Sequence, residues 1–139
     1  MGDGNDAVPI NGKLDRIEIT EGDSNVRVID YKTGKPKSRN EIEGNTKTSD
    51  GNYKRQLVFY KLLLEKEGKY DMAEGAIVFV EPDGRGKAHR EAFEITKGEV
   101  AILEKLVADV AEEIRTLSFW NKGCHQPDCQ YCRLREGIR

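Results

Sequence analysis

The stretch Ile29-Asp30-Tyr31-Lys32-Thr33-Gly34 decides how the rest of this chain is interpreted. With the preceding Val26-Arg27-Val28, its apolar and aromatic residues predict a strand over 26–32. Side chains two positions apart on a strand point to the same face, so Asp30 and Lys32 project together and Tyr31 points away. A carboxylate and an ammonium group therefore share one end of this predicted strand.

A second strand-like stretch lies just before the first one. It runs from Ala7 to Ile19, and residues 21–25, EGDSN, are typical of a turn. The two stretches predict a β-hairpin over 7–32. If the register of the hairpin allows, Asp15 faces the same side as Asp30.

The rest of the chain alternates between helical and strand patterns. A polar stretch over 33–52 predicts a long loop. Residues 53–118 predict a helix, two strands and a second helix, which begins at a capping-box signature of Thr96 and Glu99. A tail over 119–139 holds the cysteines. We therefore expect one α/β domain over 1–139, with a small mixed β-sheet flanked by helices.

Length, hydropathy and charge limit the classes of protein to which this chain can belong. The 139 residues fit one compact domain, and no apolar run is long enough for a transmembrane helix. The N-terminus lacks the pattern of a signal peptide. We expect no membrane partner and a cytoplasmic location. The net charge of -2 does not indicate nucleic-acid binding by itself, but local charge matters more than the sum.

Two aspartates and a lysine at one end of a hairpin suit phosphodiester hydrolysis. Mg²⁺ prefers oxygen ligands, which Asp15, Asp30 and the main-chain carbonyl of Tyr31 would supply. Lys32 would orient the attacking water or stabilise charge in the transition state. An isolated Asp-x-Lys is more often a solvated surface pair, and this alternative is open at this point.

Further polar residues could contact a nucleic acid. Gln56 and Tyr60 are four residues apart and share a face of the predicted helix, although a solvated glutamine and a core tyrosine fit the same spacing. In the predicted loop, Lys35, Lys37 and Arg39 could follow a phosphate backbone or lie solvated.

Three motifs in this order, GKLDRIE (12–18), VIDYKTGK (28–35) and QLVFY (56–60), resemble nuclease domains of the RecB type. Those domains occur at the C-termini of UvrD-like helicases, in helicase-nuclease repair complexes and in CRISPR-associated nucleases. The resemblance implies a PD-(D/E)XK core, of the restriction-endonuclease type, and DNA cleavage with Mg²⁺ or Mn²⁺ in repair or recombination. It also implies that Asp15 and Asp30 bind metal, that Lys32 is catalytic, and that Gln56 and Tyr60 line the active site.

The resemblance is incomplete at the N-terminal side. Family members carry an acidic residue or a histidine on a helix before the first strand, and this chain begins too late to contain it. We therefore expect a fragment of a longer helicase-nuclease, with weak activity or none by itself. The alternatives are a non-catalytic module that binds DNA or a partner, and an unrelated α/β protein with a zinc-binding tail, in which Asp15 and Asp30 would lie far apart. The presence of both aspartates and Lys32 favours the nuclease.

The three cysteines, Cys124, Cys129 and Cys132, all lie in the tail with the spacing C-x4-C-x2-C. Such clustering predicts a structural metal site rather than a disulfide framework. Many of the nucleases that the chain resembles hold a 4Fe-4S cluster with a further upstream cysteine, which is absent here. His125 could complete a zinc site instead, since three thiolates leave a tetrahedral site open. Zinc, a 4Fe-4S cluster and three free thiols all remain alternatives.

Overall fold

A computed structural model of the chain describes residues 7–19, 24–82, 84, 86–124, 126 and 128–137. The chain divides into two compact units, Met1–Leu106 and Val107–Arg139. Its helices and strands, in chain order, are β1 (Arg16–Ile19), β2 (Asn25–Lys32), α1 (Arg39–Glu43), α2 (Asn52–Glu67), β3 (Asp71–Pro82), β4 (Ala88–Phe93), α3 (Lys97–Arg115), a 3₁₀ helix (Ser118–Asn121) and α4 (Gln130–Gly137).

The first unit is built on a four-stranded mixed sheet with the strand order β1-β2-β3-β4. The pairs β1-β2 and β3-β4 are antiparallel, whereas β2 and β3 are parallel. Parallel neighbours need a crossover connection, and the segment with α1 and α2 provides it. The predicted hairpin and the predicted small mixed sheet with flanking helices are therefore confirmed.

The core lies between α2 and the face of the sheet that it covers. Leu57 and Leu62 of α2 and Val28 and Phe79 of the sheet are almost completely buried. Each such side chain stabilises the fold by about 1.5–3 kcal/mol. Gly75 lets the helix come close to the sheet, because a Cβ at this position would lie 3.2 Å from both δ-carbons of Leu57.

The first strand is shorter than the sequence predicts. Of the strand-like stretch over 7–19, only Arg16–Ile19 pairs with β2. Pro9 has no N–H to donate to a ladder. Gly12 lies against α2, where a Cβ would come 2.7 Å from Cδ1 of Leu63 and 3.4 Å from Cε1 of Phe59. The segment before β1 therefore packs on the helix instead of forming a strand.

The polar stretch over 33–52 contains a short helix, so the prediction of an unbroken loop is wrong for Arg39–Glu43. A capping box starts this helix: the backbone N–H of Ser38 donates to Glu41 Oε2 at 2.8 Å, and the backbone N–H of Glu41 donates to Ser38 Oγ at 3.4 Å. Ile42 is only 1% exposed and anchors the helix. One buried residue gives no periodic pattern, which is why hydrophobic spacing does not reveal α1.

The later elements follow the sequence patterns more closely. α2 and α3 lie where the spacing predicts helices, and the capping box before α3 forms, with the backbone N–H of Thr96 donating to Glu99 Oε2 at 2.8 Å. The two strands predicted between these helices are present as β3 and β4. Part of the predicted tail is helical, as the 3₁₀ helix and α4. Among the described residues, no helix combines the length and the apolar character needed to span a membrane.

Two glycines connect α1 to α2. Gly44 and Gly51 have φ angles of 83° and 69°, in the left-handed region that favours glycine. A Cβ on Gly44 would lie 2.8 Å from the backbone nitrogen of Gly51 and 2.9 Å from its Cα. Because these are backbone atoms, they cannot move aside as the end of a side chain can. This contact therefore fixes where α2 starts.

We expect Gly44→Ala to lower the free energy of unfolding by about 2 kcal/mol, since a left-handed non-glycine residue costs on the order of 1–3 kcal/mol and the backbone clash adds to this. Gly98→Ala is the control, because its Cβ would meet only Thr96 Oγ1 at 3.9 Å, and alanine favours a helix over glycine by up to about 1 kcal/mol. Urea unfolding followed by circular dichroism measures both variants. Equal stability of Gly44→Ala and the wild type would contradict the steric argument.

Candidate active site

Asp30 and Lys32 lie at the end of β2, on the face of the sheet that α2 covers. Val26 and Val28 precede them on the same face and are buried. Asp30 is only 2% exposed, and the side chain of Lys32 is 18% exposed. A carboxylate removed from water in this way needs charge or hydrogen-bond partners. The pair is therefore not the solvated surface pair that the alternative interpretation assumes.

Four side chains form a closed ring of contacts around this carboxylate. The hydroxyl of Tyr60 donates to Asp30 Oδ1 at 2.9 Å, and Gln56 Nε2 donates to the hydroxyl oxygen of Tyr60 at 2.6 Å. Lys32 Nζ donates to Gln56 Oε1 at 2.6 Å and lies 2.8 Å from Asp30 Oδ2. We call these four side chains the polar ring. Its members come from β2 and from one turn of α2, so it joins the helix directly to the strand.

The two carboxylate oxygens of Asp30 have different surroundings. Oδ1 accepts the hydrogen bond from Tyr60. Oδ2 is buried and forms an ion pair with Lys32, whose Nζ lies 2.8 Å away, and it has no further hydrogen-bond donor among the described residues. A carboxylate oxygen has two lone pairs, so an oxygen with this single partner can also bind a hard divalent cation, which prefers carboxylate ligands.

Asp15 lies beside Asp30, immediately before β1. Arg16 pairs with Ile29, so the antiparallel register, continued by one residue, places Asp15 opposite Asp30. Asp15 Oδ2 accepts a hydrogen bond from the backbone N–H of Tyr31 at 2.9 Å. The N–H and C=O of one strand residue point to the same edge, so the carbonyl of Tyr31 also points toward the Asp15 side. The unrelated-fold hypothesis expected the two aspartates far apart, and this register argues against it.

Tyr60 remains a hydrogen-bond donor at neutral pH. Burial raises the pKa of its hydroxyl to about 12, and the hydrogen bond to Asp30 and the negative charges of Asp30 and Asp15 act in the same direction. The protonated hydroxyl can therefore hold Asp30 Oδ1 across the physiological pH range.

The three basic residues of the predicted DNA-binding segment have different surroundings. Lys35 is exposed. Arg39 contacts the fold: its guanidinium lies 4.3 Å from the centre of the Phe93 ring and donates to the carbonyl of Ala92 at 2.9 Å. Lys37 lies toward the site, with its ammonium 4.6 Å from the centre of the Tyr53 ring. The structure thus brings Lys37, but not Arg39, to the aromatic ring beside the polar ring.

Tyr53 is a neighbour of the site that the sequence patterns did not single out. Lys32 Nζ lies 4.8 Å from the centre of its ring. The signal in the sequence is the spacing of three residues between Tyr53 and Gln56, which places both on one side of α2. That spacing alone does not show which side chains β2 presents to them.

The second unit brings its three cysteines together. The Sγ atoms of Cys124, Cys129 and Cys132 all lie within 4.8 Å of one another, and those of Cys124 and Cys132 are 3.7 Å apart. The backbone N–H of Cys132 donates to the sulfur of Cys129 and lowers its pKa to about 7. The arrangement suits one soft metal ion or a cluster. His125, the predicted fourth ligand for zinc, lies outside the described residues.

The chain was compared with protein families, curated proteins and solved structures. The family model of the PD-(D/E)XK nuclease superfamily matches residues 1–136. Neither a curated protein nor a solved structure matches the chain. The match covers both the hairpin that carries the aspartates and the cysteine segment.

We expect Tyr60→Phe to lower the free energy of unfolding by about 1–3 kcal/mol, because the buried Oδ1 of Asp30 loses its donor. Tyr53→Phe is the matched control on the same helix, since the hydroxyl of Tyr53 forms no hydrogen bond with the described residues, and its effect should stay within about 0.5 kcal/mol. Denaturant unfolding at neutral pH measures both. An equal loss in the two variants would contradict the role given to the Tyr60 hydroxyl.

Proposed function

The chain belongs to the PD-(D/E)XK nuclease superfamily, and on this premise we propose that it is a deoxyribonuclease domain that hydrolyses phosphodiester bonds with Mg²⁺ or Mn²⁺. Members of the superfamily are usually hydrolytic nucleases that use divalent metals. The observation that carries the proposal is the buried Oδ2 of Asp30, which has the Lys32 ammonium at 2.8 Å as its single partner among the described residues.

Three oxygen donors would hold the divalent cation: Asp30 Oδ2, the carboxylate of Asp15 and the main-chain carbonyl of Tyr31. Asp30 Oδ2, whose single described partner is the Lys32 ammonium, fits such a ligand set. The hydrogen bond from the Tyr31 N–H holds Asp15 in place by one oxygen and leaves the other for a ligand. A cation bound here would polarise the phosphate and lower the pKa of a bound water.

The polar ring gives the chain's own side chains their roles. Gln56 and Asp30 hold the ammonium of Lys32 from two sides, so its charge has a fixed position next to the carboxylates. A fixed charge stabilises the transition state without reorganisation during the reaction. Lys32 would thus orient the attacking water or stabilise negative charge on the phosphoryl oxygens, while Tyr60 and Gln56 keep the ring in place.

The substrate strand would run past the lysines that follow β2. Lys35 is exposed and Lys37 lies at the ring of Tyr53, so both could contact phosphates of the DNA backbone. The motif likeness to RecB-type domains supports a role in DNA repair or recombination, with helicase domains in the same chain or a partner chain.

The cysteine cluster would hold a structural metal. Three thiol sulfurs within 4.8 Å of one another can ligate one zinc ion or part of a 4Fe-4S cluster, with the remaining ligand supplied from elsewhere. The role would be to hold the segment that contains α4 in its folded form, because metal binding and folding are coupled in small sites.

Cleavage of labelled single- and double-stranded DNA in Mg²⁺ and in Mn²⁺ tests the nuclease. We expect cutting that EDTA abolishes and that Lys32→Met lowers by about 100-fold or more in kcat, the effect of removing one preorganised charge. Methionine keeps the buried stem of lysine and removes only its charged end. Thermal unfolding of the variant checks that it folds.

Lys69→Met is the control for this variant. Lys69 is an exposed lysine beside Tyr70, between α2 and β3, and its loss should leave cutting unchanged. Equal cutting by the wild type and Lys32→Met would contradict the assignment of Lys32. No cutting by the folded wild type with either metal would favour the non-catalytic module that binds DNA or a partner.

The metal content of protein purified without oxygen tests the cysteine cluster. We expect zinc or iron in a fixed ratio to protein, and its loss in a variant with serine at positions 124, 129 and 132. Elemental analysis identifies the metal, and visible absorbance distinguishes a cluster from zinc. Metal-free wild type with three reactive thiols would contradict the site and support free cysteines.

A further inference from the structure

The ring of Tyr53 contacts two ammonium groups at the edge of the proposed active site. Lys32 Nζ lies 4.8 Å from the ring centre and Lys37 Nζ lies 4.6 Å from it. Aromatic rings attract cations through the negative charge of their faces, and both distances are within the range of that interaction. One side chain of α2 therefore contacts both a lysine of β2 and a lysine of the segment that follows it.

The position of the Tyr53 ring is itself fixed. Tyr53 lies in the first turn of α2 and is half-buried, and its ring packs against Phe79, with centroids 6.2 Å apart and planes tilted by 48°. Phe79 is completely buried and pairs with Lys32 across the ladder between β2 and β3. The ring is thus held by the core on one side and can serve as a support for the two cations.

The two lysines differ in what else holds them. The ammonium of Lys32 also contacts Asp30 and Gln56. Lys37 forms no ion pair with the described residues, and the nearby Glu41 already accepts hydrogen bonds from the backbone N–H and the hydroxyl of Ser38. Tyr53 is therefore the contact that the Lys37 ammonium shares with Lys32, and this ammonium still has donors available for an anion.

We propose that Tyr53 is a positioning residue that holds Lys32 and Lys37 as paired cations for one phosphate group of the DNA strand. The inference rests on the proposed function. Two like charges at one ring repel each other, and the attraction of each ammonium to the ring offsets part of this repulsion. A phosphodiester has two non-bridging oxygens that share one negative charge, so each ammonium can donate to one of them.

A series of substitutions that keeps the shape of the ring tests the role of its negative face. Tyr53→Phe keeps the face, and phenylalanines with one to five ring fluorines at position 53 weaken it progressively with little change in size. We expect Tyr53→Phe to retain kcat/KM within about twofold, and kcat/KM to fall by about tenfold over the fluorinated series, as expected for a loss near 1.4 kcal/mol. Tyr53→Leu removes the ring and should lose at least as much.

Two further variants separate positioning from general stability. Lys37→Ala should raise KM with little change in kcat, and the effects of Lys37→Ala and the most fluorinated ring on KM should be less than additive, because they remove the same contact. Tyr70→Leu is the matched control, since it removes a ring that also lies near a lysine, Lys69 at 4.9 Å, outside the site. It should leave kcat and KM unchanged.

A measurement that does not require cleavage keeps this inference separate from the proposed function. In protein with ¹³C-labelled lysine, the ε-methylene signals of Lys32 and Lys37 should be shifted by the ring and should lose this shift in Tyr53→Leu. Both signals should also move when a short oligodeoxythymidylate is added without metal, and the movement should decrease along the fluorinated series.

The outcomes distinguish the proposed nuclease activity from the proposed role of Tyr53. Folded wild type that cuts no DNA, but whose two lysine signals respond together to the oligonucleotide, would overturn the nuclease and support the paired cations. Kinetics and lysine signals that do not change along the fluorinated series would overturn the role of Tyr53 whether or not the protein cuts DNA. Loss of function already in Tyr53→Phe would also overturn it, because that variant keeps the ring face.

Discussion

The structure of the first unit depends on keeping one carboxylate, that of Asp30, almost entirely out of water. Such burial is unfavourable unless charge and hydrogen bonds replace the lost hydration. The replacement comes from Lys32 on the same strand and from Tyr60 and Gln56 on α2. The helix therefore cannot rotate freely on the sheet, since rotation would leave the carboxylate without its partners. Polar contacts and the apolar core impose the same packing of α2.

The same carboxylate connects stability to chemistry. Its Oδ1 is satisfied within the fold, whereas its Oδ2 has only the ion pair with Lys32 among the described contacts. Asp15 is arranged similarly, with one oxygen held by the Tyr31 N–H. Each aspartate is thus fixed by one oxygen, and the other oxygen of each lies where a metal ligand is proposed.

The parts of the fold that follow from local patterns could be predicted, and those that depend on a partner element could not. Apolar and aromatic residues predicted β2, and a capping box predicted the start of α3, because both signals are local. The first strand was predicted too long, since the segment before β1 packs on a helix far along the sequence, where Gly12 lies against Leu63 and Phe59. The helix α1 was missed because its one buried residue, Ile42, gives no period.

The sequence by itself determined that Asp30 and Lys32 share a face, that Gln56 and Tyr60 share another, and that the cysteines are clustered, because these facts follow from the spacing of residues along one element. Tertiary structure decided that the two faces meet, that Asp30 is buried with Lys32 as the single described partner of its Oδ2, and that Tyr53 contacts two lysines. These depend on the register of β1 on β2 and on the packing of α2, which distant parts of the chain set together.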